Sequence, residues 1–189
     1  MAARESLNIG SGPEISIEAM TEHDLLEVCQ IEELGQLSAW GWDAYHKELQ
    51  SPQDTIMLVA RVDSVAYGCE LFGFIVARLI AGELHVNNVA VRPEIRRNRI
   101  GSRLLERALQ VAQLYGANVA HLEVRAGNEV AQRLYVRCGF RATGRRRNYY
   151  RSPTEDALLM SLPLANWAPL SSGQPPATAG GSDQKLTLI

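Results

Sequence analysis

The segment ELHVNNVAVRPEIRRNRIGSRLLERAL, residues 83–109, changes its hydrophobic period halfway along. Residues 83–91 carry Val at 86, 89 and 91 and predict a strand, closed by Arg92-Pro93. From Ile100 the apolar positions are Ile100, Leu104, Leu105, Ala108, Leu109, Ala112 and Tyr115. That spacing predicts a helix with one apolar stripe, and Gly116 is placed to end it. Between strand and helix lies a loop loaded with arginine. A helix N-terminus offers unpaired N–H groups and a partial positive charge, which suits a pyrophosphate. Gly101 lets the backbone approach an oxygen, and guanidinium groups add forked phosphate contacts. The spacing Arg96-x-x-Arg99-x-Gly101 is not a Walker A loop, since no Gly-Lys-Ser/Thr follows, and it is not GxGxxG. A plain amphipathic helix with a basic face fits the same residues. Nucleic-acid binding competes too, but no aromatic stacking platform accompanies these arginines.

Upstream, EISIEAM (14–20) alternates and predicts a first strand. Thr21 with Asp24 predicts a capping box for a helix over about 22–34. WDAYHKELQ (42–50) predicts a second helix, stopped by Ser51-Pro52. TIMLVARV (55–62) and CELFGFIVARLI (69–80) predict two more strands with a loop near Asp63-Ser64. Downstream, NVAHLEV (118–124) predicts a fifth strand, EVAQRLYVRC (129–138) a short helix ended by Gly139, and DALLMSL (156–162) a last strand. The order β-α-α-β-β-β-α-β-α-β is that of a mixed α/β sandwich around one sheet. Residues 1–12 are expected to be a flexible N-terminus, 13–164 one folded domain, and the Pro/Gly/Ser/Ala-rich 165–189 a disordered tail.

At 189 residues and 46% hydrophobic the chain has the length and composition of one globular domain with a sizeable core. It has no apolar run of the roughly 18 residues a membrane span needs, and its first thirty residues lack the pattern of a signal peptide. Three cysteines without CxxC spacing read as free thiols of a reducing cytosol, and the four histidines lack metal-ligand spacing. A cytoplasmic protein with no metal and no membrane partner is the expectation. The net charge of −2 hides an asymmetry. Residues 1–60 carry two basic and eleven acidic side chains; residues 92–151 carry fourteen arginines and four acids. An anionic partner for the second region and a cationic one for the first would exploit this; an uneven solvated surface would also produce it.

The stretch LEVRAGNEVAQRLYVRCGF (122–140) spaces Glu123, Asn128 and Tyr135 over a strand, a turn and a helix. By period 2, Val119, His121, Glu123 and Arg125 share one strand face, while Ala120, Leu122 and Val124 fill the other. Glu123 is thus a carboxylate that can reach a cleft, with a strand ion pair to Arg125 or another arginine as the plainer alternative and His121 as a rival base.

Together, NNVAVRPEIRRNRIGSRLLERAL, LEVRAGNEVAQRLYVRCGF and RRRNYY (145–150) resemble the Gcn5-related N-acetyltransferase (GNAT) superfamily, and within it the RimI-type ribosomal-protein alanine N-acetyltransferases. LEVR-x-x-N, Leu-Tyr before Cys-Gly-Phe, and Arg-Asn-Tyr-Tyr carry the closer likeness, which extends over residues 14–164. The resemblance implies a mixed, mostly antiparallel sheet flanked by helices, and acetyl-CoA as co-substrate. It implies pantetheine and thioester held along Val89, Ala90 and Val91. The pyrophosphate would be held by Arg97, Asn98, Arg99, Ile100, Gly101 and Ser102, and Asn128 would touch the cofactor. It makes Glu123 the proton acceptor and Tyr135 the proton donor. One departure stands out: Arg99 occupies the place of the loop's usual first glycine. A positive φ or a bare Cα beside phosphate would make that costly.

The implied substrate is the α-amine of a protein N-terminus, an Ala of a basic small-subunit ribosomal protein, with no direct nucleic-acid function. A polyamine, drug or lysine substrate, or a sensor that binds acetyl-CoA without turnover, are the alternatives. Trp40, Trp42 and Tyr45 are candidates for the first-residue pocket or for core, and Tyr149 and Tyr150 for the opposite wall.

Overall fold

A computed structural model of the chain describes residues 15–35, 40–62 and 71–169. The residues expected to be a flexible N-terminus, the Asp63-Ser64 loop and the tail beyond 169 lie outside the described residues.

The elements are β1 (Ile15–Ala19), α1 (Leu25–Leu34), α2 (Gly41–Leu49), β2 (Thr55–Val62), β3 (Leu71–Ile80), β4 (Glu83–Val91), α3 (Ile100–Leu114), β5 (Val119–Arg125), α4 (Glu129–Arg137), β6 (Arg141–Arg151) and β7 (Thr154–Pro163). They form one mixed sheet in the order β1-β2-β3-β4-β5-β7-β6. Only β4 and β5 run parallel, because α3 is the crossover between them. This is a single-domain α/β fold with a mostly antiparallel sheet, as the resemblance implies.

The helices divide the hydrophobic residues by sheet face. Ile100, Leu104, Leu105, Ala108, Leu109 and Ala112, the apolar stripe of α3, are all buried in the larger core with Leu84, Val86, Leu122 and Phe140. Leu25, Val28 and Ile31 of α1 and Tyr45 of α2 form the smaller core with Met57, Val59, Phe74 and Ala90. The capping box forms: the Thr21 N–H and hydroxyl both donate to Asp24 Oδ2, at 2.7 and 2.9 Å. Its first turn is 3₁₀, and α1 starts at Leu25. Gly116 and Gly139 follow α3 and α4 at φ +81° and +101°.

The sequence reading needs two changes. It lacked β6, whose RATGRRRNYYR is exposed at every position except the half-buried Tyr150. With no covered face there is no alternation to detect. It also began the tail at 165, whereas the described chain continues to Pro169. Trp167 packs on the larger core, and its Nε1 donates to the Cys138 carbonyl at 3.0 Å.

Candidate active site

The sheet opens at its one parallel pair. β4 and β5 are in register from Glu83↔Val119 to Val86↔Leu122 and then part, while β4 stays paired to β3 as far as Gly73↔Val91. The parting coincides with a bulge. Val76 faces Asn88 and Ala77 faces Val86, so Asn87 is an extra residue. One inserted residue moves the following side chains to the other face. Ala90, which strict alternation would place with Val86, therefore lies in the smaller core instead. Beyond Val86 the β4 backbone has lost its β5 partner, and a cleft of about 660 Å³ enters there, within the range of small-molecule sites.

Glu123, Tyr135, Asn128, Val89, Trp40, Tyr149 and Tyr150 all line this cleft. Glu123 and Tyr135 reach it from opposite faces of the sheet. Burial along β5 alternates as the sequence predicts, with Ala120, Leu122 and Val124 in the larger core. Glu123 therefore points to the α1/α2 face. Tyr135 belongs to the larger core, beside Phe140 with ring centroids 6.0 Å apart.

Glu123 is well engaged. Arg146 Nη1 lies 2.6 Å from its Oε1. Glu123 is also the main influence on the Tyr149 phenol, which hydrogen bonding to the carboxylate and burial hold above its usual range. The plainer alternative, an ion pair with Arg125 or another arginine, is met by Arg146 and not by Arg125. Arg125 Nη1 instead meets Glu155 Oε2 at 3.3 Å, and its guanidinium lies 4.1 Å from the centre of the Tyr150 ring, a cation–π contact. Arg125 thereby holds the β6–β7 hairpin that forms one wall. His121 sits across from His85 in register, and both rings approach Glu83 Oε2, at 3.7 and 3.2 Å. Among the described residues no group of three or more His, Cys, Asp and Glu is arranged to hold a metal ion.

Tyr135 is 8% exposed. Burial, reinforced by Tyr150 and Cys138, pushes its phenol well above the ordinary range. It is fully protonated near neutrality, and a buried phenolate would need stabilisation from whatever fills the cleft. Asn128 caps α4, its Oδ1 accepting from the Ala131 N–H at 3.1 Å.

The arginine loop lies past the end of β4. Arg97 and Arg99 both have positive φ, +72° and +59°, so the position usually held by glycine does adopt the left-handed conformation. Left-handed residues in a turn gather backbone N–H groups on a concave side, a geometry suited to anions. The first turn of α3 adds N–H groups without intrahelical partners. Ile100 and Ser102 are buried, so their side chains do not stand out at the loop surface. A Cβ on Gly101 would lie 3.4 Å from Leu134 Cδ2 and 3.6 Å from Val91 Cγ2, which brings α3, α4 and the end of β4 close together. The side chain of Asn98 turns back onto the Ile95 carbonyl at 3.1 Å. None of residues 97–102 lines the cleft proper.

On the substrate side the aromatic candidates separate. Trp40 lines the cleft. Trp42 does not; it is exposed and stacked on His46 at 4.6 Å. Tyr45 is core, fully buried. Its hydroxyl donates to Glu32 Oε1 at 2.5 Å and accepts from Asn88 Nδ2 at 2.9 Å. Glu32 also accepts from the Trp40 and Gly41 N–H groups, at 2.9 and 3.1 Å. This buried chain ties Trp40 to the bulged strand, and sequence reasoning missed it. A signal existed: Glu32 sits in the apolar phase of α1, next to Ile31. Which arginine other than Arg125 meets Glu123 was not legible either, because the contact with Arg146 needs the hairpin geometry.

Part of the acidity of the first sixty residues is committed inside the fold, while Glu22, Glu33, Asp43 and Asp54 stay exposed. Asp24, Glu32 and Glu48 are buried, and Asp24, Glu27 and Glu48 pair with Arg61, Arg92 and Arg78. Among the described residues the acidic surface is therefore smaller than the count suggests.

Residues 23–140 match the Acetyltransferase (GNAT) family. A Bacillus subtilis (strain 168) protein, provisionally named a ribosomal protein bS18-alanine N-acetyltransferase, is 30% identical over 146 residues, 77% of this chain and 93% of its own. An N-alpha-acetyltransferase of Mycobacterium tuberculosis is 31% identical over 154 residues, 77% of this chain and 90% of its own. The crystal structure of the ribosomal-protein-S18-alanine N-acetyltransferase from Escherichia coli is similar with a TM-score of 0.70 at 26% identity, covering 79% of this chain and 94% of that one. Parted parallel strands, an arginine loop at a helix start and this sequence kinship agree: the chain belongs to the GNAT superfamily of acetyl-CoA-dependent acetyltransferases, close to the bS18-alanine N-acetyltransferases.

Proposed function

We propose that the protein acetylates the α-amine of a protein N-terminus, an N-terminal Ala of a small-subunit ribosomal protein, in the cytoplasm. The observation that carries this reading is the meeting of Glu123 and Tyr135 at the opening between β4 and β5 from opposite sheet faces.

Acetyl-CoA, when bound, supplies a thioester carbonyl activated for attack by an amine. The residues present suit it. The edge of the β4 backbone at Val89–Val91 that faces away from β3 has no β5 partner and is available to pantetheine and to the carbonyl oxygen as charge develops there. The left-handed turn at Arg97–Arg99 and the start of α3 suit the pyrophosphate. Asn128 borders the cleft at the head of α4. As the new C–N bond forms and the C–S bond breaks, Glu123 accepts the proton leaving the nitrogen. Tyr135 gives its phenolic proton to the departing sulfur.

An α-amine has a pKa of about 7.7–8.0 and a lysine amine about 10.4. Removing a proton at pH 7 therefore costs about 1 kcal/mol for the first and about 4.6 for the second. A single half-exposed carboxylate is better matched to the first. Trp40 and the Tyr149–Tyr150 pair, whose rings are 5.2 Å apart, give the walls that would enclose a small first residue. Attraction of a basic protein tail lends less support than the charge count alone, since Asp24, Glu27 and Glu48 are internally paired.

The test is competition among amines. A hexapeptide beginning with Ala should be acetylated faster than the same peptide blocked at its N-terminus and carrying a free lysine. If spermidine or free lysine outruns every peptide tried, the enzyme is a small-amine acetyltransferase and the peptide reading is wrong.

A further inference from the structure

Glu123, the residue the proposed function makes the proton acceptor, already has a cation on it. Arg146 Nη1 is 2.6 Å from Glu123 Oε1. Its guanidinium carbon lies 5.4 Å from the centre of the Tyr149 ring. Arg146, Glu123 and Tyr149 border the same cleft. An ammonium arriving at this carboxylate would meet a like charge in the place it needs.

We infer that Arg146 occupies the cation seat of Glu123 in the free enzyme, so that the substrate amine is admitted in its uncharged form and Arg146 acts as a charge-selective specificity residue. The inference rests on Glu123 as proton acceptor. The proton balance is complete. The ammonium loses one proton to solvent before entry. The neutral nitrogen attacks, and the proton it sheds on forming the amide goes to Glu123. The role also favours α-amines, about a tenth of which are neutral at pH 7, over lysine amines, of which fewer than one in a thousand are. With side-chain exposure of 53%, Arg146 keeps contact with water, so its exclusion of cations is screened by salt.

The probe is a peptide whose N-terminus is trimethylated, a permanent cation that cannot be acetylated. Its control carries a tert-butyl group in place of the trimethylammonium, the same shape without charge. Both are measured as inhibitors of the wild-type enzyme, Arg146→Gln and Arg146→Lys. In Arg146→Gln the cationic peptide should bind roughly fivefold tighter than in wild type, with the neutral one unchanged. Arg146→Lys should restore exclusion, and salt should narrow the difference between wild type and Arg146→Gln. Equal affinity of the cationic probe for wild type and Arg146→Gln overturns the inference, as does a parallel change of both probes. The reading of Glu123 fails separately, if Glu123→Gln keeps full turnover.

Discussion

β5 and β6 flank the same strand, β7, and both pair with it antiparallel, yet their sequences have nothing in common. The seven residues of β5 alternate between buried and half-buried positions. The eleven of β6 have no buried position, and their pairing shifts register twice, at Ala142/Gly144 and Arg146/Tyr150. Hydrophobic alternation thus reports a covered face, not a strand. β6 is held by its ladder to β7, and its arginines discourage another chain from pairing with the open edge. The two strands also contribute differently to the cleft. β5 supplies Glu123, and β6 supplies Arg146, which pairs with it, and Tyr149, which lines the same cleft.

If that division is real, removing the group on β5 has the largest effect. Glu123→Gln should lower turnover roughly 10²–10⁴-fold, and the remaining activity should rise with pH as more amine arrives already neutral. Tyr135→Phe keeps the ring against Phe140 and removes the hydroxyl, so a rate loss with an unchanged urea midpoint isolates its proton. Steady-state rates near wild type in both variants would take the chemistry away from the β5–α4 segment altogether.

Stability should separate the strands next. Leu122→Ala deletes a core side chain from β5 and should cost about 2–5 kcal/mol. Arg147→Ala, on the open edge, should change stability by no more than about 0.5 kcal/mol. Urea unfolding of the two variants decides this. A large loss for Arg147→Ala would mean that β6 is more than an edge.

The same contrast accounts for what could be read from the sequence. Glu123, Asn128 and Tyr135 were legible because an alternating strand, a capping Asn and a short apolar helix stripe fix where each points. The α3 stripe was legible for the same reason: each of its apolar positions from Ile100 to Ala112 is buried. Contacts set by a turn between strands were not. The bulge at Asn87 leaves no mark in composition, although it decides that Ala90 faces α1. Glu123 lies 23 residues from Arg146, and a register shift brings them together. Charge totals misled most, because Asp24, Glu27 and Glu48 find arginines far along the chain.

Arg99 gives the smallest effect, where the period-readable strand β4 hands over to a turn no period describes. It holds φ +59° at the N-cap of α3, a conformation that costs a side-chain-bearing residue about 1–2 kcal/mol. Glycine would remove that strain and add about 0.4–1 kcal/mol of unfolded-chain entropy. Arg99→Gly should therefore be more stable by roughly 0.5–1 kcal/mol. The guanidinium is exposed and stands in the loop proposed to hold the pyrophosphate, so its loss should weaken acetyl-CoA binding a few-fold at low salt. The weakening should shrink as salt screens the remaining charges. Calorimetry of acetyl-CoA binding with thermal unfolding of both forms makes the comparison. A gain in stability with weaker binding means that the chain accepts a strained turn for an added phosphate contact. Tighter binding by Arg99→Gly would show instead that the turn needs a bare Cα and that the arginine is a tolerated obstruction.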